Sequence, residues 1–170
     1  MLYLYLAVLV LLILAAYTSI SAAPWLPTRK VDVNKLLDDA KLRPGNLFVE
    51  LGCGDGRVVK AAAKRGYRAV GYELNPVLFF IAWVNNFGIN NAKIKFINLW
   101  AVDLSKVDVV MAFMTPRTLP RLDSKLRSEL KSNAIFISYI FAIQGRKPIK
   151  KGKSWFIYQY SAKPKSIDSA

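Results

Sequence analysis

Short apolar runs alternate along most of the chain with stretches whose apolar residues recur at helical spacing. Apolar positions 119, 122, 126 and 130, for example, share one face of a helix. Strands are predicted over 46–51, 68–73, 92–98, 107–113, 134–140 and 155–160. Helices are predicted over 57–65, 76–87 and 119–130, with a further helix within 29–45. Such alternation predicts a parallel α/β sheet with helices on both faces.

The first part of the chain has a different pattern, because residues 2–20 are almost all apolar and no charged side chain precedes Arg29. A helix of about 20 apolar residues spans a bilayer core, so residues 1–23 are predicted to be a transmembrane anchor. Arg29 and Lys30 follow it, and the positive-inside bias places the rest of the chain on the cytoplasmic side. A cleaved signal peptide is the alternative, although the leader lacks a basic start. The lack of basic residues also favours a prokaryotic inner membrane over a mitochondrial route.

The remaining chain is predicted to contain a pre-domain segment at 24–45 and one domain at 46–170. It has no histidine and one cysteine, Cys53, which excludes histidine-dependent nucleophile pairs and multi-cysteine zinc sites. No metal site is expected.

Charge is unevenly distributed: the net charge is +14, and residues 131–170 hold half of the excess. Five basic residues there follow one another without an intervening acid: Arg146, Lys147, Lys150, Lys151 and Lys153. This basic tail is expected to attract phosphate, either on an anionic membrane surface or in nucleic acid. A purely solubilising tail is the alternative.

Candidate chemistry lies just after the first predicted strand, where Gly52, Gly54 and Gly56 form a G-x-G-x-G turn. The carboxyl end of that strand is the switch point at which nucleotides bind in open α/β sheets. Glu73 ends the second predicted strand, where a carboxylate can accept hydrogen bonds from both ribose hydroxyls. The spacing disfavours a pyrophosphate cradle and favours a ligand with ribose and an amino-acid group. S-adenosylmethionine fits that description.

Residues 49–57, Val-Glu-Leu-Gly-Cys-Gly-Asp-Gly-Arg, resemble motif I of the class I S-adenosylmethionine-dependent methyltransferases. Segments 24–28, 72–76 and 98–126 are similar to a narrower family of small protein-lysine methyltransferases. That family includes the enzymes that modify the c-subunit of ATP synthase and the adenine nucleotide translocase, and an archaeal lysine methyltransferase. The resemblance covers residues 24 to about 141. It implies a Rossmann-like class I methyltransferase sheet and methyl transfer from S-adenosylmethionine to a lysine amine of a protein.

The resemblance also implies roles for individual residues. Cofactor-binding positions would be Glu50, Gly52, Cys53, Gly54, Asp55, Gly56, Glu73, Leu74, Asn98, Leu99 and Trp100. The glycine turn would hold the methionine part, Glu73 the ribose, and the last three residues the adenine, although the family usually has Asp in place of Asn98. Positions near the reacting methyl group would be Trp25, Thr28, Thr115 and Pro116. Alternatively, Trp25 is an interfacial belt residue and Thr28 caps the following helix.

After the fourth predicted strand, Met114-Thr115-Pro116 replaces the Asn/Asp-Pro-Pro-aromatic cluster of nucleobase and amide methyltransferases. Its absence counts against nucleic acid as substrate, whereas a deprotonated lysine amine mainly needs alignment. The predicted function is therefore a membrane-anchored protein-lysine N-methyltransferase. A lipid-headgroup amine methyltransferase and a non-catalytic S-adenosylmethionine-binding membrane scaffold are the alternatives.

Overall fold

The computed structural model of the chain describes residues 1–6, 9–10 and 26–161. Residues 2–6 and 9–10 are helical, but most of the predicted anchor over 1–23 lies outside the described residues, as does Trp25. Within the described ranges, no helix is both long enough and apolar enough to cross a membrane.

Seven strands and four helices make up the part of the domain that the structure describes. The strands are β1 (Leu47–Leu51), β2 (Arg68–Glu73), β3 (Ala92–Phe96), β4 (Val109–Ala112), β5 (Ile135–Tyr139), β6 (Lys150–Lys151) and β7 (Trp155–Gln159). The helices are α1 (Lys30–Asp39), α2 (Arg57–Lys64), α3 (Pro76–Asn86) and α4 (Leu119–Glu129). A 3₁₀ turn covers Leu99–Ala101.

The strands form one sheet in the order β3-β2-β1-β4-β5-β7-β6. Strands β1 to β5 are parallel, with Leu47 opposite Arg68 and Phe48 opposite Val109. The prediction of an all-parallel sheet is wrong at β7, which pairs antiparallel to β5, and at β6, which pairs antiparallel to β7. A parallel pairing of β7 with β5 would need a crossover connection, usually a helix. Residues 140–154 instead form turns and the two-residue β6.

The core has two halves, one on each face of the sheet. Successive residues of β1 belong to different halves, since Phe48 packs with α1 and α2 whereas Val49 packs with α4. This follows from the two-residue period of a strand. The predicted helices on both faces are therefore confirmed. The carboxyl ends of the neighbouring strands β2, β1 and β4 meet at one end of the sheet, where the predicted site residues begin.

Candidate functional site

The turn after β1 requires glycine at three alternate positions. Gly52, Gly54 and Gly56 have φ values of 75°, 55° and 73°, in the left-handed region. An ordinary L-residue pays roughly 1–2 kcal/mol for that conformation. At Gly56 space is also lacking, because a Cβ would lie 2.5 Å from Nδ2 of Asn86 and 3.1 Å from Cβ of Ala82. The glycines thus let the chain turn tightly between β1 and α2.

The carboxylate of Glu73 is held by three backbone amides at the end of β2. Gly54 donates its N–H to Oε2 at 2.9 Å, and Leu74 and Asn75 donate theirs to Oε1 at 2.9 and 2.8 Å. A carboxylate offers about four lone-pair directions, so roughly one remains for an incoming hydroxyl. The bond to Gly54 also joins the glycine turn directly to the predicted ribose-binding residue. Backbone groups of the chain therefore fix the position of the carboxylate.

Glu50 on β1 has an unsatisfied buried oxygen. Its side chain is 6% exposed, and Oε2 has no hydrogen-bond partner among the described residues. Burial raises the pKa of this carboxyl well above its usual range, and the negative charge of Asp55 raises it further. Leaving such an atom unpaired costs folding free energy, and a donor on a ligand would remove that cost. The ammonium of an amino-acid group fits, so the residues present suit the methionine part of S-adenosylmethionine.

Cys53 packs into the core below the turn. Its thiol is buried, and burial together with the nearby charge of Glu50 raises its pKa. The Sγ atom lies beside β2, where a Cβ on Gly71 would approach it to 2.7 Å. Its side chain therefore fills space between β2 and α2, and the low-pKa environment of a reactive thiol is absent at this position.

Arg57 connects the turn to the segment that precedes α1. Its guanidinium pairs with Asp55, with Nη2 at 2.6 Å and Nε at 2.9 Å, and Nη1 donates to the carbonyl of Thr28 at 3.2 Å. Although burial raises the pKa of Asp55, its hydrogen bonds and charge pairing with Arg57 outweigh burial and lower it. We did not predict this role. A basic first residue of a helix is unfavourable beside the positive helix end, which is the signal that it needs a partner.

Thr28 is buried beside this bridge, and its place near the reacting methyl group stays a prediction. The alternative prediction that Thr28 caps α1 is wrong, because Arg29 is the N-cap residue and no side chain caps the helix. Tyr139 at the end of β5 fixes the segment further, since its hydroxyl donates to Asp32 at 2.8 Å and accepts from the N–H of Arg29 at 3.2 Å.

The predicted adenine-binding residues lie after β3. Asn98 is exposed and its carbonyl oxygen accepts from the N–H of Trp100 at 3.1 Å, which leaves a second lone pair of that oxygen for a ligand amine. Leu99 is buried, and the guanidinium of Arg121 lies 4.0 Å from the ring centre of Trp100.

Thr115 and Pro116 follow β4 at the same end of the sheet. Thr115 is half-buried and its hydroxyl lies 3.0 Å from that of Thr118, whereas Pro116 is exposed. The preceding Met114 approaches the turn, because its Cε lies 3.8 Å from where a Cβ on Gly52 would stand. The carboxyl ends of β1, β2 and β4 therefore bring together the glycine turn, Glu73 and the segment of Thr115. In the described part of the chain, no group of three or more acidic, cysteine or histidine residues is placed to hold a metal ion.

Comparisons with known proteins agree with this geometry. Residues 50–150 match the model of the ANTKMT methyltransferase domain. The chain is 36% identical over 124 residues to the ATP synthase C-subunit lysine N-methyltransferase of Xenopus laevis, in a match that covers 69% of this chain and 53% of that protein. It is 35% identical over 130 residues to a protein-lysine N-methyltransferase of Saccharolobus islandicus, covering 74% and 81%. The chain therefore spans about half the length of the frog enzyme and most of the archaeal one.

A solved structure shares the fold. The RNA methyltransferase from Salinibacter ruber, in complex with S-adenosyl-L-homocysteine, superposes with a TM-score of 0.77 at 24% identity. The match covers 85% of this chain and 100% of that one. This structure confirms the Rossmann-like class I methyltransferase fold. The family match and the two relatives confirm the resemblance inferred from the motifs.

Proposed function

Because this chain belongs to the family of ANTKMT methyltransferase domains, we propose that it transfers a methyl group from S-adenosylmethionine to a lysine side chain of a protein. The observation that carries the proposal is the Glu73 carboxylate, fixed by the N–H of Gly54 and aimed at the glycine turn. A site with this carboxylate and the unpaired Oε2 of Glu50 suits a ligand that carries both a ribose and an amino-acid group.

The chain's own residues would bind and align the reactants. Glu50 would accept a hydrogen bond from the ligand ammonium, and Glu73 would accept one from a ribose hydroxyl. S-adenosylmethionine supplies an activated methyl group whose sulfur leaves as a neutral thioether. Thr28 and Thr115, with Trp25, would border the space for a lysine amine that loses its proton to water. Alignment of amine, methyl carbon and sulfur accounts for much of the expected rate, so the lack of histidine is no obstacle.

We propose in addition that residues 1–23 anchor the protein in a membrane with the domain on its cytoplasmic side, in a prokaryotic inner membrane. The uncharged apolar run and the following Arg29 and Lys30 support this topology. A tether of this kind raises the effective concentration of lysines presented near the membrane surface. A membrane-associated protein is therefore the proposed substrate class.

The test incubates full-length protein with tritiated S-adenosylmethionine and detergent-solubilised membranes, and counts protein and lipid fractions separately. We expect label in a protein band that hydrolysis releases as methyl-lysine. Glu73→Ala should lose both this label and calorimetric binding of S-adenosylhomocysteine. The control Asp38→Ala, which alters an exposed carboxylate paired with Arg65 on α2's C-cap, should retain both.

Other distributions of label would contradict the proposal in different ways. Label in the lipid fraction would assign headgroup amine methylation. Cofactor binding without label in either fraction would indicate a scaffold, and unchanged affinity of Glu73→Ala would refute the role of Glu73.

A further inference from the structure

Helix α3 has its large apolar side chains on the outside. Its buried residues are the small Ala82 and the polar Asn86. Six large apolar residues on or just after it are 40–74% exposed: Val77, Phe80, Ile81, Trp83, Val84 and Phe87. A surface helix of a water-soluble protein normally shows the reverse arrangement. The orientation of α3 therefore needs its own explanation.

The inner face of α3 fixes that orientation. The Nδ2 group of Asn86 donates to the carbonyl of Gly56 at 3.1 Å, which docks the helix on the end of the glycine turn. It also donates to the carbonyl of Ala82, one turn back in the same helix, at 2.8 Å. Asn75 caps its start by accepting from the N–H groups of Val77 and Leu78. Rotation of the helix about its axis would break the bond between Asn86 and Gly56, so its apolar residues are held outward.

The exposed aromatic residues form a continuous row. The ring centres of Phe80 and Trp83 are 6.1 Å apart, and those of Trp83 and Phe87 are 5.5 Å apart. Beside the row lies a shallow depression of about 440 Å³ between α3 and β3, lined in part by Trp83, Phe87, Lys93 and Lys95. An exposed apolar surface of this kind marks a contact site.

The charges around this surface indicate which kind of partner it contacts. Residues 74–102 contain no Asp or Glu, and their only charged side chains are Lys93 and Lys95, both exposed on the edge strand β3. Exposed tryptophan and phenylalanine flanked by lysines, with no acidic residue, are typical of surfaces that lie in the interface of an anionic bilayer. We propose that this α3–β3 face, formed by Phe80, Trp83, Phe87, Lys93 and Lys95, inserts its rings at the boundary between lipid headgroups and acyl chains while its lysines contact lipid phosphates.

The basic tail is a weaker candidate for the same contact. Arg146 is paired with Asp123 at 2.8 Å, Lys150 with Asp39 at 2.5 Å, and the ammonium of Lys151 lies 5.6 Å from the ring centre of Phe156. Moreover, β6 and β3 are opposite edges of the sheet, six strand spacings or about 29 Å apart. The two surfaces can therefore be tested separately.

The proposal is independent of the methyltransfer activity, and its test uses depth-dependent fluorescence quenching of the full-length protein. An environment-sensitive label is attached through Phe87→Cys or Phe80→Cys, because the native Cys53 is 4% exposed and protected from labelling. Matched controls are Val31→Cys on α1 and Ile149→Cys, at residues 62% and 60% exposed. Vesicles contain phosphatidylcholine and phosphatidylglycerol with brominated acyl chains.

We expect labels at positions 80 and 87 to lose most of their emission in these vesicles and labels at 31 and 149 to keep theirs. Lys93→Glu with Lys95→Glu should reduce quenching at position 87, whereas Lys150→Glu with Lys151→Glu should not. Because the readout is local, insertion of the leader alone does not produce it. Unquenched labels at 80 and 87, or equal quenching at 31 and 149, would overturn the proposal. The proposal would also be overturned if vesicles left the labels unquenched and an added membrane-protein substrate shielded them. That outcome would assign the face to a protein partner.

Discussion

Glu50 shows how a single residue can be unfavourable for the fold and useful for binding. Its folded-state pKa is raised by burial and by Asp55, so the folded protein binds this proton more tightly than the unfolded chain does. The sign follows from linkage: stability falls as pH rises from the ordinary pKa of glutamic acid towards the raised value. A ligand ammonium next to the unpaired oxygen would reverse that loss.

We therefore predict that Glu50→Gln stabilises the ligand-free protein at neutral pH and weakens S-adenosylhomocysteine binding. Glutamine keeps the shape of the side chain but never ionises, so the pH-dependent loss disappears. Urea unfolding across a pH series and calorimetry measure the two effects. Glu129→Gln on α4, whose carboxylate pairs with Lys125, should leave ligand affinity unchanged. Tight binding by the Glu50 variant would contradict the assigned role.

Gly71 on β2 is a packing constraint that sequence motifs do not show. A Cβ there would lie 2.7 Å from Sγ of Cys53 and 2.8 Å from Cγ2 of Val59. We predict that Gly71→Ala lowers the free energy of unfolding by about 1–3 kcal/mol, as overpacking does elsewhere. The same substitution in a Cys53→Ala background should cost less, because Sγ is gone. Equal costs in both backgrounds would show that Sγ of Cys53 is not the obstacle, since its Cβ, 2.9 Å from the added atom, is kept in the alanine variant.

At the scale of elements, α1 is attached by two arginines from α2 and its C-terminal cap. Arg57 reaches the carbonyl of Thr28 before α1, and Arg65 pairs with Asp38 and Asn34 within it. The first attachment involves the candidate site and the second lies on an exposed surface. Substituting each arginine in turn therefore compares an attachment at the candidate site with one that lies away from it.

We predict that Arg57→Gln increases hydrogen exchange in residues 28–33 and 52–57 and lowers turnover, because both Asp55 and Thr28 lose their partner. Arg65→Gln should increase exchange only towards the C-terminal half of α1 and leave turnover near that of the wild type. Exchange mass spectrometry on both variants gives the comparison. If both arginines affect turnover equally, Arg57 has no special place in the site.

The helices and the first five strands were predictable because their signals are local. Periodic apolar positions and the glycine turn lie within single elements, and the structure reproduces them to within about two residues at most ends. The short β6 and the 3₁₀ turn were not predicted. The strand at β7 was predicted, but its antiparallel direction was not, because direction is set by pairing with β5. Arg57 was missed for the same reason: its partner Thr28 is 29 residues away in the chain. Glu73 was predicted as a site residue from its place at the end of the second strand, whereas its bond to Gly54 needs the folded β1–β2 pair.

On the scale of the whole molecule, carboxylates determine stability at low pH. Asp123 joins α4 to the end of the sheet by bonds to Tyr160 and Arg146, and it pairs with Arg127 one turn further along the same helix. Burial raises its pKa, but these hydrogen bonds and charges outweigh burial and lower it. Asp55 and Asp108 are lowered in the same way. A lowered pKa means that stability is present above the unfolded-state pKa and is lost as pH falls through the folded-state value.

We predict that Asp123→Asn lowers the free energy of unfolding at neutral pH by about 1.5–3 kcal/mol, the range for hydrogen bonds to charged groups. The variant should also lose less stability than the wild type as pH falls below about 4. Chemical unfolding at several pH values measures both slopes. The control Asp38→Asn, on an exposed surface, should show the same pH dependence of stability as the wild type. If the Asp123 variant is less stable by the same amount at every pH, its effect is due to packing alone.

The pairing of Gly54 with Glu73 has a consequence for the order in which the protein assembles. Leu47 pairs with Arg68 across only 21 residues, whereas Phe48 meets Val109 across 61 and Arg29 meets Tyr139 across 110. Contacts that are close in sequence form sooner, because less chain entropy is lost when the intervening loop closes. The β1–α2–β2 unit, with Glu50, the glycine turn and Glu73 on its backbone donors, is complete once residue 75 has left the ribosome. The part of the site that would hold the methionine group and the ribose can therefore take shape during synthesis, ahead of the parts that would hold the adenine and receive the lysine.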